Sequence, residues 1–479
     1  MLRYPGHKIL RQLWSQTNKP YAVLNGIHSS SGEVCHLAKE PDGVINSKCV
    51  PDQKRSGGWR QYSTSSRGLT SYGALQLGLA EPVPVQLPSD IVPEDLVLNL
   101  AQRLKVKPRL DARTLKFGAE YTDHMLQISW KAGFGWEAPS IDPLGPIPIH
   151  PCAQVLHYAM ECFEGMKAFK TKDGRIQLFR PEMNMNRLAR SASRVGLPAF
   201  DKEALLECIK ALLRVERDWI PEVEGFSLYM RPTIISTHPH LGMGPSSSAA
   251  FFCVLSPVGP YYPDGLQSIR LMVEKKHVRA FPGGLGDAKV GGNYAPTVVP
   301  QTKAQELGCQ QVLYVLDDGY QGGAVGESGA MNVFFLLRKH DGQLELVTPH
   351  LDGVILPGVT RDSVLALTRS FGGIQVSERR LSWDEIEEAD RNGNIVEVFG
   401  TGTAVIIQPI VGLVMEDRRE IHIPFDARAA SHWTEKPVGT SLEVPKADEP
   451  FSLSGRLTRA ILDIQYGHVH SNWSMPIEE

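Results

Sequence analysis

Residues 283–296 read GGLGDAKVGGNYAP: one lysine, Lys289, among five glycines, with Tyr294 five positions further on. Glycine backbone can take positive φ and come close to a ligand, so a phosphate cradle is the first chemistry to test. The established spellings do not fit. A P-loop puts Ser or Thr directly after its lysine, whereas Val290 follows here, and a dinucleotide fingerprint needs a third glycine where Asp287, Ala288 and Lys289 stand. Two readings stay open. One is a glycine-rich surface loop with a solvated lysine. The other is a lysine packed among small residues and backbone, whose desolvated amine has a lowered pKa and acts as a nucleophile. Schiff-base chemistry needs the second.

A lysine that carries a carbonyl cofactor points to pyridoxal 5'-phosphate, which needs a phosphate site, a partner for its phenolic oxygen and an acid for its ring nitrogen. Arg187 lies in the helical pattern RPEMNMNRLARSA, and Val359-Thr360 follow Gly358 where a helix would open, its free N–H groups suited to an anion. The turn Gly400-Thr401-Gly402-Thr403 offers amides and hydroxyls, and Glu327 in GESGAMN stands just before a strand, where it could keep a pyridine nitrogen protonated. Each has a plain alternative: a surface arginine, a tight turn, a solvated glutamate.

The elements that would position these groups alternate in type. Short β-rich runs are HMLQISW (124–130), RIQLF (175–179), FSLYMRPTII (226–235), AFFCVLSPV (250–258), QVLYVL (311–316), NVFFLL (332–337) and IVEVFG (395–400). Helical patterns lie between them. Pro181 opens one that ends near Gly196, Asp201 caps the next, and a third follows LPG (356–358) and stops at Gly372-Gly373. The Pro- and Gly-containing stretch 259–267 separates two groups of strands, giving a smaller domain over 110–258 and a larger one over 268–479.

The chain has 479 residues, 42% apolar and 22% charged, with a formal net charge of −3, so it reads as an ordinary globular protein that acts on small molecules. It carries no basic stripe for nucleic acid and no apolar run long enough to span a membrane. Seven cysteines without a C-x-x-C indicate neither a disulfide framework nor a zinc site, and no metal site is expected. Residues 1–32 hold Arg3, Lys8, Arg11 and Lys19 and no acidic residue, and Arg60-Gln61-Tyr62 precedes Ser-Thr-Ser-Ser. That composition resembles a mitochondrial transit peptide over 1–62, with a matrix address; 63–109 is a lead-in of uncertain order.

The order and wording of the motifs carry more than any one of them. LHYAMECFEGMKAFK (156–170), LFRPEMNMNRLARSA (178–192), LYMRP (228–232), GGLGDAKVGGNYAP (283–296), LPGVTRDSV (356–364) and EVFGTGTA (397–404) closely resemble the branched-chain amino acid aminotransferases, from about Phe117 to the C-terminus. The resemblance implies a mixed α/β, two-domain type IV pyridoxal-phosphate fold with the cofactor between a smaller N-terminal and a larger C-terminal domain. It implies that Lys289 is the catalytic lysine that carries the cofactor, and that Arg187, Arg279, Tyr294, Glu327, Val359, Thr360 and Thr403 hold it. Phe117, Tyr158, Phe163, Tyr229, Arg231, Tyr261 and Ala404 match substrate-contacting positions, and Leu241 and Met243 match pocket residues lent across a homodimer interface. The implied reaction moves an amino group between leucine, isoleucine or valine and 2-oxoglutarate, with glutamate and branched 2-oxo acids as products. One pocket then takes a branched apolar side chain and a γ-carboxylate in turn, the latter through Arg231.

The sequence departs from the mammalian mitochondrial forms of that family. Val405-Ile406-Ile407-Gln408 stands where they carry a C-x-x-C, Ala330 where they have threonine and Met243 where they have valine. Redox control by a thiol pair there is ruled out, and the ranking of leucine, isoleucine and valine is left undetermined. A D-amino acid aminotransferase or an aminodeoxychorismate lyase shares the lysine, glutamate and phosphate groups; the 156–170 and 228–232 motifs and the aromatic pocket argue against both. A catalytically dead relative that serves as a binding protein would have lost some of the named residues, and all of them are present.

Overall fold

The computed structural model describes residues 33–39, 45–51, 90–111, 115–259, 267–319, 321–435 and 451–477. The chain divides into two units, Met1–Pro82 and Val83–Glu479. In the first, Glu33–Lys39 pairs antiparallel with Ile45–Pro51. The remainder of the segment read as a transit peptide lies outside the described residues, as do Tyr261 and the rest of 260–266.

The second unit is mixed α/β, as expected, and holds two sheets. The first has ten strands among the described residues, in the order Ser474–Pro476, Ile176–Phe179, Met166–Lys170, Ser227–Ser236, Ser248–Val258, His124–Lys131, Ser140–Pro143 and Val97–Leu98, with Gly135–Trp136 and Glu161–Phe163 at its margins. Its centre is the antiparallel pair Ser227–Ser236 and Ser248–Val258, in register from Ser227↔Val258 to Ser236↔Ala249. Along Ser248–Val258, Ala249, Phe251, Cys253 and Leu255 are buried while the residues between them are half-covered, the period-2 signature of a strand with one face on the core. The expected helices pack on that face. Pro181–Arg194 has Pro181 at its first position, where the missing N–H costs nothing. Lys202–Val215 is capped by Asp201, whose carboxylate accepts the Ala204 N–H at 2.9 Å. Leu205, Ile209 and Leu212 point inward at i, i+4 and i+7 and join Leu188, Leu228 and Phe251 in one core.

The second sheet has nine strands among the described residues, in the order Ala324–Ser328, Gln311–Leu316, Ile269–Glu274, Ile406–Val414, Ile395–Gly402, Asn332–Arg338, Leu344–Thr348 and Ile374–Glu378, with Glu420–His422 on Ile406–Val414. Ile269–Glu274 runs parallel to both its neighbours, and a strand so placed is covered on both faces. Val359–Phe371, the third expected helix, and Leu453–Gln465 pack on Phe334, Leu336 and Phe399 of this sheet. No described helix is long and apolar enough to cross a membrane.

All seven anticipated strand runs are strands. Ile406–Val414 is a further strand of nine residues, although it contains Pro409 and Gly412, residues that weaken strands. The four-residue Ser140–Pro143 and three-residue Glu161–Phe163 strands are too short for a periodic pattern.

Leu212 is fully buried on a helix where alanine keeps the propensity. Leu212→Ala should therefore cost about 2–5 kcal/mol through its cavity, read as a lowered urea midpoint with the helix content of the folded state unchanged.

Candidate active site

The site is assembled around the Pro181–Arg194 helix, because residues at i, i+3 and i+4 share one face. Asn184 and Arg187 both turn to Glu164, which is fully buried just past the Glu161–Phe163 strand. Arg187 donates from Nε to Oε1 at 2.7 Å and from Nη2 to Oε2 at 2.8 Å, a two-pronged carboxylate fork. Its third nitrogen, Nη1, donates to the Pro357 carbonyl at 3.0 Å, one residue before the N-cap of Val359–Phe371. Burial pushes the Glu164 carboxyl up, but the charge and hydrogen bonds of Arg187 outweigh it and hold the group below the usual range.

One and two turns further along the same helix lies the lysine loop. Arg190 Nη2 donates to the Asp287 carbonyl at 2.8 Å, Ser191 Oγ accepts the Lys289 N–H at 2.8 Å, and Arg194 Nη2 donates to the Gly284 carbonyl. Asn293 closes the loop from inside, donating to Leu285 and Ala288 carbonyls. Two glycines answer to close approach: a Cβ on Gly286 would lie 2.4 Å from the Val354 carbonyl oxygen, and one on Gly291 would lie 2.0 Å from a Glu161 carboxylate oxygen. The lysine is half-buried, its Nζ donating to the Tyr294 hydroxyl at 2.9 Å and lying 4.8 Å from the centre of the Phe163 ring.

Phe163 also carries the other cation of the pocket. The Arg231 guanidinium sits 4.9 Å from its ring centre and 5.3 Å from that of Tyr229, and Nη2 donates to the Tyr229 hydroxyl at 3.1 Å. Arg231 Nε is buried and has no hydrogen-bond partner. Phe117 packs edge-on against Tyr229 at 4.9 Å.

Glu327 is buried on Ala324–Ser328, the strand at one end of the second sheet. Its Oε1 accepts Asn332 Nδ2 at 2.6 Å and the Leu356 N–H at 2.7 Å, and Arg279 Nη1 lies 2.6 Å from Oε2 as an ion pair without hydrogen-bond alignment. Burial pushes the Glu327 carboxyl up, with Arg279 and the Leu356 N–H opposing it. Val359 and Thr360 begin their helix with no side-chain cap, and register pairs Thr401 with Asn332, its buried hydroxyl unpartnered. Thr403 and Ala404 form the turn that follows, and Lys167 Nζ donates to the Ala404 carbonyl at 2.9 Å.

The structure thus joins Lys289, Tyr294, Phe163, Tyr229 and Arg231 in one chain of contacts, and Arg187 with Val359 through Pro357. Tyr158 donates its hydroxyl to the Leu241 carbonyl. Leu241 and Met243 themselves stay on the surface, 59% and 79% exposed. Sequence reasoning missed Glu164, Asn184, Ser191, Asn332 and Lys167. A carboxylate isolated in the apolar context CFEGM, with Asn184 and Arg187 spaced i, i+3 on a helix, was the available signal for the first two.

The Amino-transferase class IV family model matches residues 161–413. The cytosolic branched-chain-amino-acid aminotransferase of Mus musculus is 43% identical over 385 residues, covering 80% of this chain and 93% of that protein. The mitochondrial branched-chain-amino-acid aminotransferase of Rattus norvegicus is 44% identical over 331 residues, 69% of this chain and 83% of that one. Among solved structures, the branched-chain amino acid aminotransferase of Thermobaculum terrenum in its PLP form superposes with a TM-score of 0.55 at 20% identity, covering 75% of this chain and 100% of that one, a likeness of fold. With the lysine loop, the buried glutamates and the anion-ready helix start in place on that fold, the chain belongs to the class IV aminotransferases, among the branched-chain-amino-acid aminotransferases.

Proposed function

We propose that this chain exchanges amino groups between branched-chain amino acids and 2-oxoglutarate on pyridoxal phosphate. The observation that carries the reading is the Lys289–Tyr294 pair at 2.9 Å, beside aromatic rings that hold Arg231, whose buried Nε has no hydrogen-bond partner. The residues fit the cofactor. An uncapped helix start at Val359 and Thr360, the Arg187 guanidinium, the unpartnered Thr401 hydroxyl and the Thr403 turn suit a phosphate. Glu327, a carboxyl pushed up by burial and paired with Arg279, suits a protonated ring nitrogen. When bound, pyridoxal phosphate supplies the carbonyl that takes up the amino group and the electron sink that acidifies the substrate's α-carbon.

The protein's part is proton handling and recognition. Lys289 Nζ takes the proton from the substrate α-carbon and returns it during the exchange. Tyr294 fixes the direction of that amine through its hydroxyl, and the Phe163 ring screens it from water. Phe117, Tyr158, Phe163 and Tyr229 give the branched side chain an apolar wall, as Tyr261 does on our reading, and Ala404 borders it. Arg231 meets the γ-carboxylate of glutamate or 2-oxoglutarate.

We further propose a homodimer in which Leu241 and Met243 cover a neighbour's pocket, because both are exposed on a loop tied to Tyr158. The acid-free basic N-terminus supports import into the mitochondrial matrix; relatives of both compartments match the chain. We also propose a domain boundary at 259–267; in its support, Ser248–Val258 belongs to the first sheet and Ile269–Glu274 to the second. Light scattering should give twice the 52.9 kDa chain mass, less any removed leader, and N-terminal sequencing of protein from its own cells should start near Ser63; a monomer with full activity, or an intact Met1 in cytosolic protein, would refute the respective proposal.

Leucine with 2-oxoglutarate should yield glutamate, and an inert chain would overturn the reading. Arg231→Gln keeps much of the length but not the charge, so kcat/KM should fall by about 2–4 kcal/mol more for glutamate and 2-oxoglutarate than for leucine and its oxo acid. Equal losses would mean that Arg231 only supports the fold.

A further inference from the structure

A pocket that alternates between an apolar side chain and a carboxylate has a charge problem. With the dicarboxylate bound, Arg231 is paired; with a branched side chain bound, the same guanidinium is cut off from water and left uncompensated, which is costly. Given the proposed exchange, some other group must balance Arg231 in the other half of the cycle.

The Glu161–Phe163 strand pairs with the strand that carries Arg231, in the register Ile235↔Glu161 and Thr233↔Phe163. Residues at i and i+2 point to the same side of a strand, so Glu161 accompanies Phe163, the ring that contacts both Arg231 and Lys289. Cys162 between them is fully buried. The Glu161 carboxylate is half-buried over Gly291, two residues past Lys289, accepts that glycine's N–H, and occupies the space where any larger residue would put its Cβ. We infer that Glu161 is the resident counter-charge of this pocket, a positioning residue that balances Arg231 and Lys289 while an apolar side chain is bound and opposes a second carboxylate when one enters. Its effect is on specificity: it favours the branched-chain partner and weakens the dicarboxylate.

The groups that face Glu161 set its titration. Arg231 faces it from the central strand, with Tyr229 holding the guanidinium. Lys289, with Tyr294 behind it, and the Gly291 N–H face it from the lysine loop. On its own segment, Glu164 is locked to Arg187 and Cys162 stays a thiol, pushed up by burial. Burial also pushes the Glu161 carboxyl up, against the Gly291 bond and the two cations. Lowering the pH through that raised range removes the negative charge and with it the opposition to a dicarboxylate.

The test uses the chain loaded with pyridoxal phosphate and two 2-oxo acids, which lack an amino group to exchange and so report binding without turnover. Calorimetric titration of 2-oxoglutarate and of 4-methyl-2-oxopentanoate should show that Glu161→Gln tightens the first and weakens the second, moving their affinity ratio by about tenfold, the scale of one partly screened charge pair. Glu161→Asp, which keeps the charge, should stay close to the unmodified ratio. Acidification should tighten 2-oxoglutarate on the unmodified chain and not on Glu161→Gln. A ratio that is unchanged in Glu161→Gln, or equal losses for both acids, would overturn the inference and leave the proposed exchange standing. An unmodified chain that binds neither acid would overturn both.

Discussion

The buried carboxylate of Glu164 is the constraint on which the site depends. Fully buried, it accepts the two-pronged fork of Arg187 and the Asn184 amide, and losing one partner of such a pair typically costs about 3–5 kcal/mol because the other charge stays behind. The cost fixes geometry more than it adds stability. Arg187 can keep its two bonds to Glu164 and its third to Pro357 only if the Glu161–Phe163 segment, the Pro181–Arg194 helix and the start of Val359–Phe371 hold their mutual places. The uncapped helix start, the feature best suited to an anion, is thereby set against the first sheet.

The same helix face continues into Arg190, Ser191 and Arg194, whose bonds to the lysine loop are to backbone atoms. Backbone anchoring suits a loop built of glycines: with so few side chains to grip, its carbonyls and amides are the available handles. Lys289 is left free to aim its amine at Tyr294, and the aromatic wall receives it. Arg187, Arg279 and Glu327 sit buried in ion pairs around a pocket in which Arg231 is cushioned by two rings and Lys289 lies over one of them. That division between a rigid charged rim and a soft aromatic middle is what a pocket for two unlike side chains requires.

What could be read from the sequence followed from distance along the chain. Lys289 and Tyr294 are five residues apart on one loop, so their sharing a site was legible, whereas the bond between them came from the structure. The helix over 181–194 and the cap at Asp201 were legible from local residue types for the same reason. Glu164 was harder to read, since its partners lie on a helix 20 and 23 residues away and the apolar context CFEGM is a weak local sign of a buried carboxylate. Asn332 looked like an ordinary strand residue, yet its amide bridges Glu327 and the Leu356 carbonyl 24 residues on. The helix over Leu453–Gln465 reads as half-polar, but Arg459 is buried against Asp463 and Arg456 stacks 4.1 Å from the Phe371 ring. Arg459 and Thr458 find their partners within the helix itself, which no periodicity argument detects.

On the proposed function the glycine-framed lysine, and no other amine of the pocket, bonds to the cofactor. Lys167 is the competitor: its amine lies by Ala404, and desolvation pulls its pKa down to about 8, within reach of a nucleophile at neutral pH. Borohydride reduction of the chain loaded with pyridoxal phosphate, followed by digestion and mass spectrometry, locates the bond directly. The pyridoxyl group is expected on the peptide that contains Lys289 and nowhere else; finding it on Lys167, or on no lysine at all, would contradict the account.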